Sequence, residues 1–367
     1  MRTRPNLFEK FPGLENKIPW LKLGDFPTAI SRLNHLGREI KVPGLYCKRD
    51  DLSHPDYGGN KIRKLEFLLA DARRLSRKSV LTLGAWGSNH VLATTVMARR
   101  LGLKPLAVLI PQPAQEYARK NLLTNCALGC ELHFAPSTTA LPFKVARVYW
   151  SHWRKGERPY FIWAGGSSAL GALGYVDAAL EICGQVEQGV MPAPDLIFCP
   201  AGSSGTFAGL ALGMKLAGLK TKVLGVRVFD KIMVNSFIAR RLAQASLNLM
   251  RKYDSSIPGL KLSSSDFPML HDYAGSRYAS FTRAGMDAVC LARDLEGLEL
   301  EGTYTGKTLS AIIDTAHKGE LKDKVVLFLD SYNSRPMDKL VQTCPDWKEL
   351  PGEFHHCFAE KIPEPEE

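Results

Sequence analysis

Short apolar runs alternate with stretches of helical periodicity along most of this chain. The run "SVLTLGAW" leads into "NHVLATTVMARRLGL", "PLAVLIP" into "QEYARKNLLTNCALG", and "YFIWAGG" into "ALGALGYVDAALEICGQV". Further on, "DLIFCPAG" leads into "GTFAGLALGMKLAG", and "KVLGVRVF" precedes a helical stretch from about Lys231 to Lys252. Near the end, "KTLSAIIDTAHKG" comes before "KVVLFLDSY". Strand-like runs closed by glycine and followed by amphipathic helices predict a parallel, doubly wound α/β architecture. Such sheets bind ligands outside the carboxyl ends of their strands, and the glycine clusters of this chain fall there. The segment "SSIPGLKLSSSDFP" (255 to 268) reads as a loop, the closing "IPEPEE" reads as frayed, and no internal repeat is visible.

Composition narrows the class without naming a function. With 367 residues, 45% of them hydrophobic and 23% charged, the chain is one large domain or two intimate ones with a substantial core. The 48 basic and 37 acidic residues give a net charge of +11. The basic residues are scattered, as at Arg99–Arg100 and Arg240–Arg241, which suits anionic small molecules and argues against a nucleic-acid surface. No apolar run is long enough to span a bilayer, and "MRTRPNLFEKFPGLEN" has no apolar core of a secretory signal. Eight cysteines include no CxxC pair, and those in "LIFCP" and "DAVCLA" read as buried free thiols of a reducing compartment. The "HHC" at 355 to 357 is not read as a metal site, because adjacent residues rarely converge on one ion.

Four loops carry the candidate chemistry. In "YGGNKIRKLEF" (57 to 67), Asn60 stands as an N-cap before Ile62, Leu65, Leu68 and Leu69, which repeat at helical spacing. On a structural reading Lys61 is one more surface lysine. On a functional one, Gly58 and Gly59 let something approach the backbone closely while Lys61 points at it. In "LGAWGSNH" (83 to 90), Ser88 and Asn89 fall between strand and helix, where N–H groups favour an anion such as a substrate carboxylate. In "CPAGSSGTFAG" (199 to 209), Gly202, Ser203, Ser204, Gly205 and Thr206 offer the small residues, N–H groups and hydroxyls that a phosphate needs. The fourth, "EGTYTGKTLS" (301 to 310), is one residue short of a nucleotide-binding P-loop and has Glu301 where its first glycine would stand.

One cofactor reconciles these loops: pyridoxal 5'-phosphate, a planar aldehyde that bears a phosphate and links to a lysine. Lys61, at a helix start whose dipole favours the neutral amine, suits the linkage. Lys64 lies one turn on, without the flexible backbone beside it.

These motifs resemble the D-cysteine desulfhydrase and 1-aminocyclopropane-1-carboxylate deaminase family, pyridoxal-phosphate enzymes of the tryptophan-synthase-beta fold type. "KRDDLSHPDYGGNKIRKLEFLLADA" is similar to the family's lysine motif and puts the lysine at Lys61. "GAWGSNH" resembles its substrate-carboxylate and cofactor-hydroxyl loop, which implies Ser88, Asn89 and His90 there. "AGSSGTFAGL" resembles the phosphate loop and implies Ala201, Gly202, Ser203, Ser204, Gly205 and Thr206 as cofactor residues. "GGSSALGALGYVDAALEI" (165 to 182) is similar to the desulfhydrase form of the inter-domain segment. "DYAGSRYASFTRAGMDA" and "TYTGKTLSAIID" imply active-site tyrosines at Tyr278 and Tyr304 and a ring-nitrogen partner at Thr305.

The resemblance covers about residues 20 to 330. It implies two doubly wound open sheets with the cofactor in the cleft between a large domain (1–61 and 173–367) and a small one (62–172). It also implies a cytoplasmic homodimer acting on a small amino acid, without nucleic-acid, membrane or metal partners. The expected activity is a pyridoxal-phosphate-dependent lyase, D-cysteine desulfhydrase in type. Cyclopropane deaminase, racemase, another β-eliminase and a non-catalytic binder of the cofactor or an amino acid are the alternatives. Two places depart from the family: "FLDSYNSRP" replaces a glycine pair with Tyr332 and Asn333, and Trp86 and Gly87 stand where smaller or amide side chains are usual, which predicts a reshaped substrate pocket.

Overall fold

Ten strands make two sheets in the computed structural model, which describes residues 3–341 and 345–367. They are β1 (Ile30–Arg32), β2 (Leu45–Arg49), β3 (Ser79–Ala85), β4 (Lys104–Ile110), β5 (Glu131–Phe134), β6 (Tyr160–Ile162), β7 (Leu196–Ala201), β8 (Lys222–Arg227), β9 (Met269–Leu270) and β10 (Val326–Asp330). The larger sheet has the order β1-β2-β10-β7-β8-β9, parallel except for the antiparallel edge pair β1–β2. The smaller is all parallel, in the order β5-β4-β3-β6.

Alternation along the strands explains why each sheet is covered on both faces. In β10, Leu327 and Leu329 join a core with helices Ala169–Glu187 and Gly205–Ala217, while Val326 and Phe328 join another with helix Thr305–His317. In β4, Leu106 and Val108 face Val148 of helix Leu141–Arg154, and Ala107 and Leu109 face Leu122 of helix Glu116–Ala127. The helices Lys61–Arg74 and Asn89–Arg100 pack together against the smaller sheet through Leu65, Leu92 and Val96.

Several sequence expectations change. The stretch expected from Lys231 becomes a helix only at Ser236, because the Asn235 side chain accepts the Ile238 N–H and caps it (3.0 Å). The closing "IPEPEE" is not frayed: Glu366 pairs with the 276–283 segment through its backbone and its carboxylate. Cys290, expected to be buried, is exposed, since the apolar stripe of its helix runs through Ala288 and Ala292. Cys199 is buried as expected, and Cys344 lies outside the described residues.

Candidate active site

Helix Lys61–Arg74 begins at Lys61 because the two preceding glycines permit a turn no other residue fits. Gly59 has φ +96°, and a Cβ there would lie 2.9 Å from the Tyr332 carbonyl oxygen. A Cβ on Gly58 would lie 1.8 Å from the Asp51 carbonyl oxygen. The close approach is therefore made by the protein's own carbonyls, a correction to the expectation that the glycines admit a ligand. The Asn60 N–H donates to the Ser331 carbonyl (3.1 Å) and the Gly58 N–H to Asn333 Oδ1 (2.7 Å), so the departing 330–333 loop is the floor beneath Lys61.

The Asn60 side chain does not cap the helix. Its Oδ1 accepts from Lys61 Nζ (2.7 Å), and its Nδ2 donates to Thr206 Oγ1 (3.0 Å), joining the lysine to the start of helix Gly205–Ala217. Lys61 Nζ lies 6.0 Å from the centre of the Tyr304 ring. Burial lowers its pKa to about 8 against the pull of the Glu301 carboxylate. Desolvation, more than the helix dipole, therefore supplies the neutral amine.

At the carboxyl end of β7, Ser204 holds a left-handed conformation (φ 62°) at the N-terminal boundary of helix Gly205–Ala217, without capping it through its side chain. Its Oγ is buried with no hydrogen-bond partner among the described residues. The Gly205 N–H donates to Ser167 Oγ (3.1 Å), which shares a hydrogen bond with Ser203 Oγ (2.8 Å). A Cβ on Gly205 would lie 2.4 Å from Ser167 Oγ and 3.0 Å from Lys64 Nζ. Lys64 is buried, and desolvation together with Lys61 lowers its pKa well below the ordinary lysine value. An orphaned hydroxyl, a helix N-terminus and a buried amine that an anion would recharge fit a phosphate group.

After β3, Ser88 caps helix Asn89–Arg100, its Oγ accepting the Val91 N–H (3.4 Å). Asn89 Oδ1 accepts from Asn121 Nδ2 (2.8 Å), leaving the amide NH2 as the end for a ligand. His90 is buried, with its Nε2 2.9 Å from Thr82 Oγ1. Burial, with Lys61 and Lys64 nearby, keeps it neutral. Trp86 does not reshape a pocket: its indole is buried with Leu122, Leu350 and Phe354 and donates to the Gln112 carbonyl (3.1 Å). Gly87 is required because a Cβ would stand 2.2 Å from that of Ala118.

Tyr278 and Tyr304 share a hydrogen bond between their hydroxyls (2.6 Å). Burial raises both phenols, Tyr278 to about 12, so both carry their protons at neutral pH. A Cβ on Gly202 would meet the Tyr304 ring at 2.8 Å, which explains that glycine. Glu301 is buried and accepts the N–H groups of Thr303, Tyr304 and Thr305 at 2.7–2.9 Å. Thr305 Oγ1 accepts the Glu301 N–H (2.9 Å) and lies 3.3 Å from its carboxylate. From the other half, the Tyr117 hydroxyl meets Thr303 Oγ1 (3.1 Å). Sequence reasoning missed Asn60, Ser167 and Glu301 as parts of this site. Ser167 lay in plain view in "GGSSALG", but Glu301 was noticed only as the residue that spoils a P-loop.

With a depressed lysine joined through Asn60 to the start of helix Gly205–Ala217, the phosphate fit defines a class: α/β enzymes that link a phosphorylated aldehyde to a lysine. The family described as pyridoxal-phosphate dependent enzyme matches residues 21–331, and the chain belongs to it. Over 324 residues it is 35% identical to a putative 1-aminocyclopropane-1-carboxylate deaminase of Pyrococcus horikoshii, covering 87% of this chain and 91% of that protein. Over 319 residues it is 35% identical to the D-cysteine desulfhydrase of Klebsiella pneumoniae, covering 84% and 92% respectively. A crystal structure of an ACC deaminase homologue is similar with a TM-score of 0.77 at 31% identity, covering 92% of this chain and 99% of that one. The protein is thus a pyridoxal-phosphate-dependent enzyme with two mostly parallel sheets. No described helix is long and apolar enough to cross a membrane.

Proposed function

We propose that this enzyme catalyses α,β-elimination of D-cysteine or a similar small β-substituted amino acid, converting D-cysteine and water to pyruvate, ammonia and hydrogen sulfide. The observation that carries this reading is a depressed lysine amine beside two protonated phenols, a base and a pair of acids around one cleft. Lys61 would hold the cofactor aldehyde. Lys64, Ser203, Ser204, Gly205 and Thr206, at the end of the strand closed by Ala201, would hold its phosphate. The Asn89 amide would reach a ring hydroxyl, and Thr305 would meet the ring nitrogen.

When bound, the cofactor supplies an electron-withdrawing ring that takes up the pair left at the substrate α-carbon. The N–H groups at the start of helix Asn89–Arg100, with Ser88, receive the substrate carboxylate. Lys61 Nζ would take the α-proton. Tyr304, relayed by Tyr278, gives a proton to the departing sulfur. The remaining aminoacrylate takes up water and separates into pyruvate and ammonia.

The deaminase reading has equal support from the relatives, and Thr305 separates the two. A neutral hydroxyl supports a protonated ring less well than a carboxylate would. Expulsion of a thiolate tolerates that weaker electron sink; opening an unactivated cyclopropane does not. Steady-state assays should therefore give pyruvate from D-cysteine or β-chloro-D-alanine and little 2-oxobutyrate from 1-aminocyclopropane-1-carboxylate. Faster turnover of the cyclopropane substrate would reverse the choice.

The division into a large domain (1–61 and 173–367) and a small one (62–172) is part of this proposal, supported by β3 to β6 all falling in the second span. A homodimer is proposed on the exposed Ile232, Met233 and Phe237 at the start of helix Ser236–Tyr253, to be checked by sedimentation. A cytoplasmic location is proposed on the free thiols of Cys47, Cys130 and Cys199.

A further inference from the structure

Tyr278 is carried by a segment that needs outside support. No helix or strand forms between Asp272 and Phe281, and the backbone is left-handed on both sides of the tyrosine, at Gly275 (φ 74°) and at Ala279 (φ 63°). Alanine has no glycine-like freedom there, so neighbouring contacts must hold the turn.

Residues 345–367, beyond the matched family span, supply those contacts. The segment is first anchored on the smaller sheet, where Leu350, Phe354 and Cys357 are buried with Trp86. The Arg119 guanidinium donates to the carbonyls of Cys357 (3.1 Å), Phe358 (3.2 Å) and Glu360 (2.5 Å). It then reaches the Tyr278 segment. The Glu366 N–H donates to the Phe281 carbonyl (2.8 Å), and the Arg283 N–H donates to the Glu366 carbonyl (2.6 Å). The Glu366 carboxylate accepts the Ser276 N–H (2.8 Å) and the Ser276 hydroxyl (2.5 Å). From the other side, Lys307 Nζ donates to the Ala274 carbonyl (2.5 Å). Phe281 stacks on Tyr117, ring centres 6.1 Å apart. Glu366 therefore reaches both flanks of Tyr278.

We propose that Glu366 is a positioning residue for Tyr278: the strap 345–367 brings it from the smaller sheet and uses it to hold the Tyr278 hydroxyl against that of Tyr304. The catalytic consequence rests on the function proposed above, whereas the structural one does not.

The test compares the holoenzyme with Glu366→Ala and with a chain stopped after Pro365. Hydrogen exchange should quicken about tenfold or more at the Ser276 amide in both variants and at the Arg283 amide in the shortened chain, with helix Gly205–Ala217 and the bound-cofactor absorption unchanged. With D-cysteine, kcat should fall about tenfold with little change in KM. In a Tyr278→Phe background the same truncation should cost nothing further, because its effect is exerted through the phenol. Unchanged exchange across 272–286 overturns the proposal, as does an equal kcat loss in the Tyr278→Phe background. Should the intact enzyme turn over none of the substrates, the proposed reaction fails while the exchange measurement still decides the role of Glu366.

Discussion

Lys61 and Lys64 lie on successive turns of one helix, yet the structure gives them different work. Lys61 Nζ faces Asn60 and the Tyr304 ring, whereas Lys64 Nζ faces the Gly165 carbonyl and the start of helix Gly205–Ala217. Lys61→Ala should abolish the visible absorption of the lysine-bound cofactor, and borohydride should no longer fix cofactor to the chain. Lys64→Ala should keep that covalent link but release cofactor more readily, with an apparent Kd raised about tenfold or more through loss of a charge-assisted contact to phosphate. The reverse pattern in the two variants would exchange their roles. Gly205→Val offers an independent check on the phosphate site: its side chain would occupy the space between Ser167 Oγ and Lys64 Nζ. Equilibrium dialysis of the folded variant should show weakened cofactor retention.

At the scale of elements, the start of the Lys61 helix is fixed by a buried ionic network. Arg63 donates to both carboxylate oxygens of Asp50 (2.8 Å each) and to both of Glu181 (3.0 and 2.8 Å). Lys48 Nζ donates to Glu181 Oε1 (2.6 Å), and the Tyr175 hydroxyl donates to Asp50 Oδ2 (2.6 Å). This joins β2, the lysine helix and the helix Ala169–Glu187. Arg63→Met would leave two carboxylates buried without their guanidinium, at a cost of about 3–5 kcal/mol. The urea midpoint should fall accordingly, with an unchanged slope. The same network shows why the sequence was only partly legible. Periodicity exposed β3, β4, β6, β7 and β8 with the helices after them, and β10 with the helix before it, because their apolar residues face packed cores. It did not expose β2, since "LYCKR" hides a buried Lys48 whose side-chain partners, Glu181 and Gln185, lie more than a hundred residues away. The three-residue β1 and the four-residue β5 carried too little pattern to register. The loops of the site were legible because glycines and hydroxyls cluster there. Asn60 and Glu301 were not, because their partners are set by the fold.

For the whole molecule, two kinds of buried carboxyl work against each other as pH changes. At Asp50 and Glu181 burial alone would raise the pKa, but the Arg63 guanidinium, with Lys48, outweighs it and holds both below the ordinary range. Their contribution to stability is complete above about pH 4 and is lost as pH falls through the depressed folded values. Burial drives Asp330 the other way, well above its ordinary value, with the Asp51 charge adding to the shift. Asp330 Oδ2 is buried and has no partner among the described residues. The native state therefore keeps a proton on Asp330 that the unfolded chain releases near pH 4. That contribution is complete below about pH 4 and is lost as pH rises through the raised folded value. Asp330→Asn keeps an acceptor for the Tyr332 N–H and removes the ionisation. Its Tm relative to the parent should accordingly improve as pH rises from about pH 4 towards the raised folded value. Arg63→Met should do the opposite, with its largest deficit near neutral pH and a smaller one in acid, where Asp50 and Glu181 take up protons. Thermal melts of the three proteins across that range separate the two carboxyl classes. A constant offset between Asp330→Asn and the parent would mean that Asp330 ionises alike in the folded and unfolded chains, and that the 330–333 loop beneath Lys61 holds a charged carboxylate.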